Sequence, residues 1–119
     1  VYRIAICGTN NRDLIDLHEC LIELIRLSST QCSIRGYTDY KSIETDGYDL
    51  IIIKEDVNTS IGVEAVQYLR DLNSNVNIIY IQNLKDTEEY DNTALDYISL
   101  PFKKEIIHEN LREIMKIKI

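Results

Sequence analysis

The chain has 119 residues, enough for one hydrophobic core and too few for two domains. Hydrophobic residues make up 45% and charged residues 28%, an ordinary globular balance that excludes a disordered segment. The net charge of −7 argues against a basic nucleic-acid-binding face, and no apolar run approaches the roughly 20 residues that span a bilayer. No signal peptide is visible, and the first residue is not methionine, as expected of a domain excised from a longer protein. Cys7, Cys20 and Cys32 form an odd set without metal-ligand spacing; each sits in an apolar pattern, so buried, inert thiols in a reducing cytoplasm are expected.

In chain order, "YRIAIC" (2–7) is a continuous apolar run ended by Gly8, the pattern of a strand buried on both faces. "NNRDLIDLHECLIELIRLSS" places Leu14, Leu17, Leu21, Leu24 and Ile25 three or four apart, which makes one helix face, with Asn10 or Asn11 as its N-cap. "CSIRGYT" (32–38) is a less apolar strand, expected at a sheet edge. A brief helical segment at 39–45 leads to a turn at Asp46-Gly47. "YDLIIIK" (48–54) reads as the central strand. "SIGVEAVQYLRDLN" (60–73) reads as a helix using Val63, Val66, Tyr68 and Leu69 as its apolar surface. "NVNIIYIQN" (75–83) is a fourth strand, 84–93 a short or frayed helix, and "ALDYISL" (94–100) a fifth strand. The chain closes with a helix whose stripe is Ile106, Ile107, Leu111, Ile114 and Met115. No repeat, low-complexity tract or internal linker interrupts the single unit 1–119.

Strands alternating with helices imply a parallel sheet covered on both faces. Five such units predict a flavodoxin-like (βα)5 three-layer α/β sandwich of order 2-1-3-4-5, with function at the carboxyl ends of the strands. The positions to watch are therefore Cys7-Gly8-Thr9-Asn10, Lys54-Glu55-Asp56, Gln82-Asn83 and Ser99-Leu100-Pro101.

At those strand ends the chain resembles the CheY-like receiver domain of two-component response regulators. "YDLIIIKEDVNTSIGVEAVQYLR" is similar to the family's third strand, loop and third helix, with Gly62 and Glu64 at its Asp-Gly-x-Glu spacing. "ALDYISLPF" is similar to its Ala-Leu-Asp-Tyr-x-x-Lys-Pro-Phe phrase with the lysine lost, and "RIAIC" resembles first strands of receivers that precede LytTR-type DNA-binding domains. The likeness runs over essentially the whole chain.

The family's chemistry uses two acids after the first strand for Mg²⁺ and an aspartate after the third as phosphoryl acceptor. A hydroxyl residue after the fourth strand and a lysine after the fifth contact the phosphoryl oxygens. Hard carboxylate oxygens suit the metal, a carboxylate is the nucleophile, and cations neutralise the transferring group. Matched position by position, the resemblance puts Gly8 and Thr9 at the acids, Lys54 at the acceptor, Gln82 at the hydroxyl and Leu100 at the lysine. Only the family's switch aromatic is kept, as Tyr97. Two ammonium groups in one partly desolvated pocket would repel, so leucine at 100 is consistent with lysine at 54.

The implied reading is a degenerate pseudo-receiver. It is not an enzyme, needs no cofactor or metal, and regulates in the cytoplasm independently of phosphorylation. Its partner would be another protein or itself, in a homodimer through the fifth strand and last helix. DNA would be reached only through a separate output domain, and no membrane is involved. Two alternatives stay open, a non-standard phosphoacceptor such as Asp56 and an anion or small-molecule sensor at Lys54. Lys54 itself has three readings: it extends to solvent, or fills the vacated metal site by bonding Thr9, Asn10 or Asp56, or holds an anion. Glu55 and Asp56 read as solvated loop charges, His18 and His108 as surface or half-buried residues, and Tyr97 as a packing aromatic uncoupled from Gln82. "CGTNN" lacks phosphate-loop spacing.

Overall fold

The computed structural model describes residues 1–28, 30–54, 62–82 and 98–116. Its elements are β1 (Tyr2–Cys7), α1 (Asn11–Arg26), β2 (Cys32–Tyr37), two 3-10 turns (Tyr40–Ser42 and Thr45–Gly47), β3 (Leu50–Lys54), α2 (Gly62–Leu72), β4 (Asn77–Gln82), β5 (Ile98–Pro101) and α3 (Lys104–Met115). The five strands form one parallel sheet of order β2-β1-β3-β4-β5, as the alternation of elements predicts. β3 is central and β2 lies at an edge. The fold is flavodoxin-like. The frayed helix expected at 84–93, the first half of the fifth strand and Tyr97 lie outside the described residues.

Alternation along the strands divides the core in two. Ile4, Ile6, Leu50, Ile52, Ile79 and Ile81 face α1 and α3, packing on Leu17, Leu21, Leu24, Ile107 and Leu111. Ala5, Cys7, Ile51, Ile53, Ile78 and Tyr80 face α2, packing on Ala65, Val66 and Leu69. Among the described side chains, the apolar stripes read from the sequence are buried or partly buried, with one exception. Tyr68 is 36% exposed and meets Tyr40 edge-on at a centroid distance of 5.4 Å, because it points from α2 along the first 3-10 turn rather than into the sheet.

Local chemistry sets the element ends. α1 starts after Asn10, whose Oδ1 accepts from the Asp13 amide at 2.9 Å, which decides between the two asparagines. It ends before the expected serines, where the Ser28 hydroxyl donates to the Ile25 carbonyl at 3.1 Å. β3 begins two residues later than the apolar run suggests. Asp49 instead clasps β1, its amide donating to Arg3 O and its carboxylate accepting from Arg3 N. β4 also starts late, because Asn73 Oδ1 accepts from the Asn75 amide in a side-chain turn.

Cys7 and Cys20 are buried and Cys32 is half-buried on the edge strand, so only the first two meet the expectation of core thiols. Burial pushes the thiols of Cys7 and Cys20 up to about 11 from 9.0, with smaller contributions from Asp39 at Cys7 and Glu23 at Cys20. No helix of the described residues is long and apolar enough to cross a membrane.

Candidate functional site

The carboxyl ends of the parallel strands form one crest of the molecule, and the matched positions gather there. Gly8 and Thr9 follow β1, Lys54 ends β3, Gln82 ends β4, and Leu100 stands in β5 opposite Ile81. Alternation turns Lys54 toward the α1 and α3 side, in step with Leu50 and Ile52, while Gln82 is in step with Ile78 and Tyr80 on the other face. Lys54 and Gln82 therefore border the crest from opposite sides of the sheet.

Lys54 does not extend to solvent. Its side chain is 11% exposed, and its Nζ lies 2.5 Å from Oδ1 of Asp13, itself 12% exposed. Asp13 stands in the first turn of α1, where the unpaired amides and the helix dipole favour a carboxylate. Its other oxygen, Oδ2, accepts from Asn10 Nδ2 at 3.3 Å, so the cap residue and the carboxylate hold each other. On the far side, the Lys54 ammonium lies 5.1 Å from the centroid of the Phe102 ring, within cation–π range. Of the partners expected if Lys54 turns inward, Thr9, Asn10 or Asp56, none is the one found: its ammonium pairs with Asp13. Asp56, one of the expected partners, lies outside the described residues.

Gly8 makes this arrangement sterically feasible. A Cβ built at Gly8 would lie 2.9 Å from Asp13 Cβ, closer than side chains pack, and Asp13 Cβ is fixed to the α1 backbone. Any larger residue at 8 would push the first turn of α1 away and withdraw Asp13 from Lys54. The family acid matched to position 8 is thus incompatible with Asp13 as it stands. The crest thus carries a carboxylate from α1 and an ammonium from β3, paired with each other. Two members, Asp13 and Phe102, were missed in the sequence. Asp13 carried a signal: Asn10-x-x-Asp13 has capping-box spacing, and glycine beside it leaves room for the turned-in side chain.

Chemically the crest holds an ammonium that is fixed to the chain and paired with a carboxylate. An ammonium with a short carboxylate partner has its charge balanced within the chain. Among the described residues no group of three histidine, cysteine, aspartate or glutamate side chains could hold a metal. The histidines lie elsewhere. His18 is exposed on α1, as expected of a surface residue. His108 is only 7% exposed, contrary to the surface or half-buried expectation. Its Nε2 pairs with the Cys20 carbonyl at 2.8 Å, joining α3 to α1 beneath the sheet.

No family model matches this sequence, and no curated protein matches it. Solved structures match over nearly the whole chain. The response regulator TrrA from Thermotoga maritima, in complex with Mg(2+)-BeF, is 17% identical with a TM-score of 0.68, covering 96% of this chain and 99% of that one. A two-component response regulator from Clostridium difficile is 18% identical with a TM-score of 0.64, over 98% and 97% of the two chains. A protein assigned to pilus assembly (cpaE) from Burkholderia thailandensis is 10% identical with a TM-score of 0.68, over 98% and 99%. At these identities the likeness is one of fold: this chain has the fold of response regulator receiver domains.

Proposed function

We propose that this chain is an atypical receiver domain of two-component signalling that regulates without accepting a phosphoryl group. The observation that supports the reading is the Lys54–Asp13 pair, with Lys54 at the position that the resemblance matches to a receiver's phosphoryl acceptor. A ligand-induced change needs a difference in binding free energy between two states, and a crest already neutralised by its own pair offers Mg²⁺ and a phosphoryl group little. Regulation then runs through a protein partner or a second copy of the chain, with the last helix and fifth strand as the surface to test first. In this reading the domain acts in the cytoplasm, and DNA is reached through a separate output domain.

The Thermotoga maritima regulator is described in complex with Mg(2+)-BeF, so the same addition is the direct comparison. Thermal unfolding of this chain with Mg²⁺ and beryllofluoride is expected to match that with Mg²⁺ alone. A saturable rise in midpoint would count against the proposal, and its loss in Asp56→Asn would move the acceptor to Asp56.

A further inference from the structure

A second site lies away from the crest, on the sheet face that α2 leaves bare. Between β2 and β3 the chain makes only two 3-10 turns, so no helix of length covers β2 on this side. The result is a pocket of about 410 Å³, within the roughly 300–1,000 Å³ typical of small-ligand sites. Its floor is Arg3 of β1 with Ser33, Arg35 and Tyr37 of β2, and its wall is Ser42, Glu44, Gly47 and Tyr48. The parallel register sets Arg3 opposite Ser33, so alternation brings Arg35 and Tyr37 onto the same face.

Two features mark this pocket as built for an anion. Arg3 and Arg35 both line it, and neither forms an ion pair among the described residues, in a chain with net charge −7. Arg35 is also pre-positioned, its guanidinium 5.7 Å from the centroid of the Tyr37 ring. Within the lining the Tyr37 and Tyr48 hydroxyls hydrogen-bond to each other, which leaves one O–H proton to donate elsewhere. Burial first, and then the Tyr37 hydroxyl, push Tyr48 up to about 12, so it stays a donor at neutral pH. Glu44 is the counterweight. A bare dianion filling the pocket would meet its carboxylate, whereas a ligand hydroxyl could donate to it.

We infer that this pocket binds a small hydroxylated phosphate monoester, with the phosphate between Arg3 and Arg35 and the ligand hydroxyls toward Glu44 and the tyrosine pair. Planar guanidinium forks match phosphate oxygens two at a time, which a scattered lysine surface does not. The inference stands apart from the crest and from whether the domain accepts a phosphoryl group. It also moves the idea of an anion sensor away from Lys54, whose charge Asp13 already engages.

The test is an amide NMR titration of the chain at fixed ionic strength with ribose 5-phosphate, inorganic phosphate and ribose as probes. Ribose 5-phosphate is expected to give saturable shifts confined to residues 2–4, 33–37 and 42–48, and to bind more tightly than inorganic phosphate or ribose. Arg35→Gln should weaken it by about tenfold or more, while Arg12→Gln on the exposed side of α1 leaves it unchanged. Both arginines are solvent-facing, so an unaltered spectrum away from the pocket shows that each variant still folds. Shifts that never saturate, shifts scattered over the surface, or wild-type affinity in Arg35→Gln would overturn the site. Equal binding of inorganic phosphate and ribose 5-phosphate would overturn the role given to the hydroxyls and Glu44.

Discussion

Lys54 and Asp13 are 41 residues apart in the chain and 2.5 Å apart in space, and each is costly to leave buried alone. Removing one partner of a buried pair costs about 3–5 kcal/mol, because the remaining charge is stranded in a low-dielectric site. At 11% and 12% exposure the pair falls toward that regime. Urea unfolding should therefore show a large loss for Lys54→Ala and for Asp13→Ala, with most of it recovered in Asp13→Leu/Lys54→Met. Additive losses in the double variant would mean that the two side chains do not depend on each other. The thiols make a second residue-scale prediction. Their folded pKa of about 11 lies above the ordinary 9.0, so the native state holds the proton more tightly than the unfolded chain. Their contribution is complete below about pH 9 and lost as pH rises toward about 11, so stability should decline over that window. The decline should be smaller in Cys7→Ala/Cys20→Ala, measured by urea midpoints across the range. At this scale the sequence was least legible. Lysine at a strand end and aspartate in a first helical turn each have a bland local reading, and periodicity says nothing about which distant side chains meet.

Helices and strands were far easier to read. β1 is the apolar run 2–7 itself, since burial on both faces leaves a continuous hydrophobic word between Tyr2 and Gly8. The stripes of α1 and α3 were visible because 3.6-residue periodicity is a property of the chain alone. Ends were less legible where a side chain overrules the pattern, as Asp49 does before β3 and Ser28 after α1. His108 shows the same limit inside a helix. It lies between Ile107 and Leu111 on the stripe, yet its polar ring suggested a surface or half-buried place; burial works because the Cys20 carbonyl on α1 pairs with Nε2. His108→Ala should lose both that bond and the ring's packing, a cost of about 2–4 kcal/mol. Hydrogen exchange should then quicken in α1 and α3 together while α2 is unaffected. Exchange confined to α3 would show that the contact does not tie the helices.

The whole molecule is a five-stranded parallel sheet whose architecture is shared with regulators and with a protein assigned to pilus assembly, so the architecture alone does not choose a function. At one crest of this fold a set of side chains meets. Gly8 makes room for Asp13, Asp13 neutralises Lys54, and Leu100 stands in the strand where the family phrase has its lysine. Gly8, Asp13 and Lys54 are mutually dependent in space. That dependence is legible only in part: the resemblance picks out the residues at 8, 9, 54, 82 and 100, but not Asp13, which Lys54 engages. The central claim, that this receiver fold works without phosphoryl transfer, is tested most directly by incubating the chain with acetyl phosphate and Mg²⁺ and recording its intact mass. An unchanged mass is the predicted result. A stoichiometric gain of one phosphoryl group, labile to base as an acyl phosphate is, would contradict it.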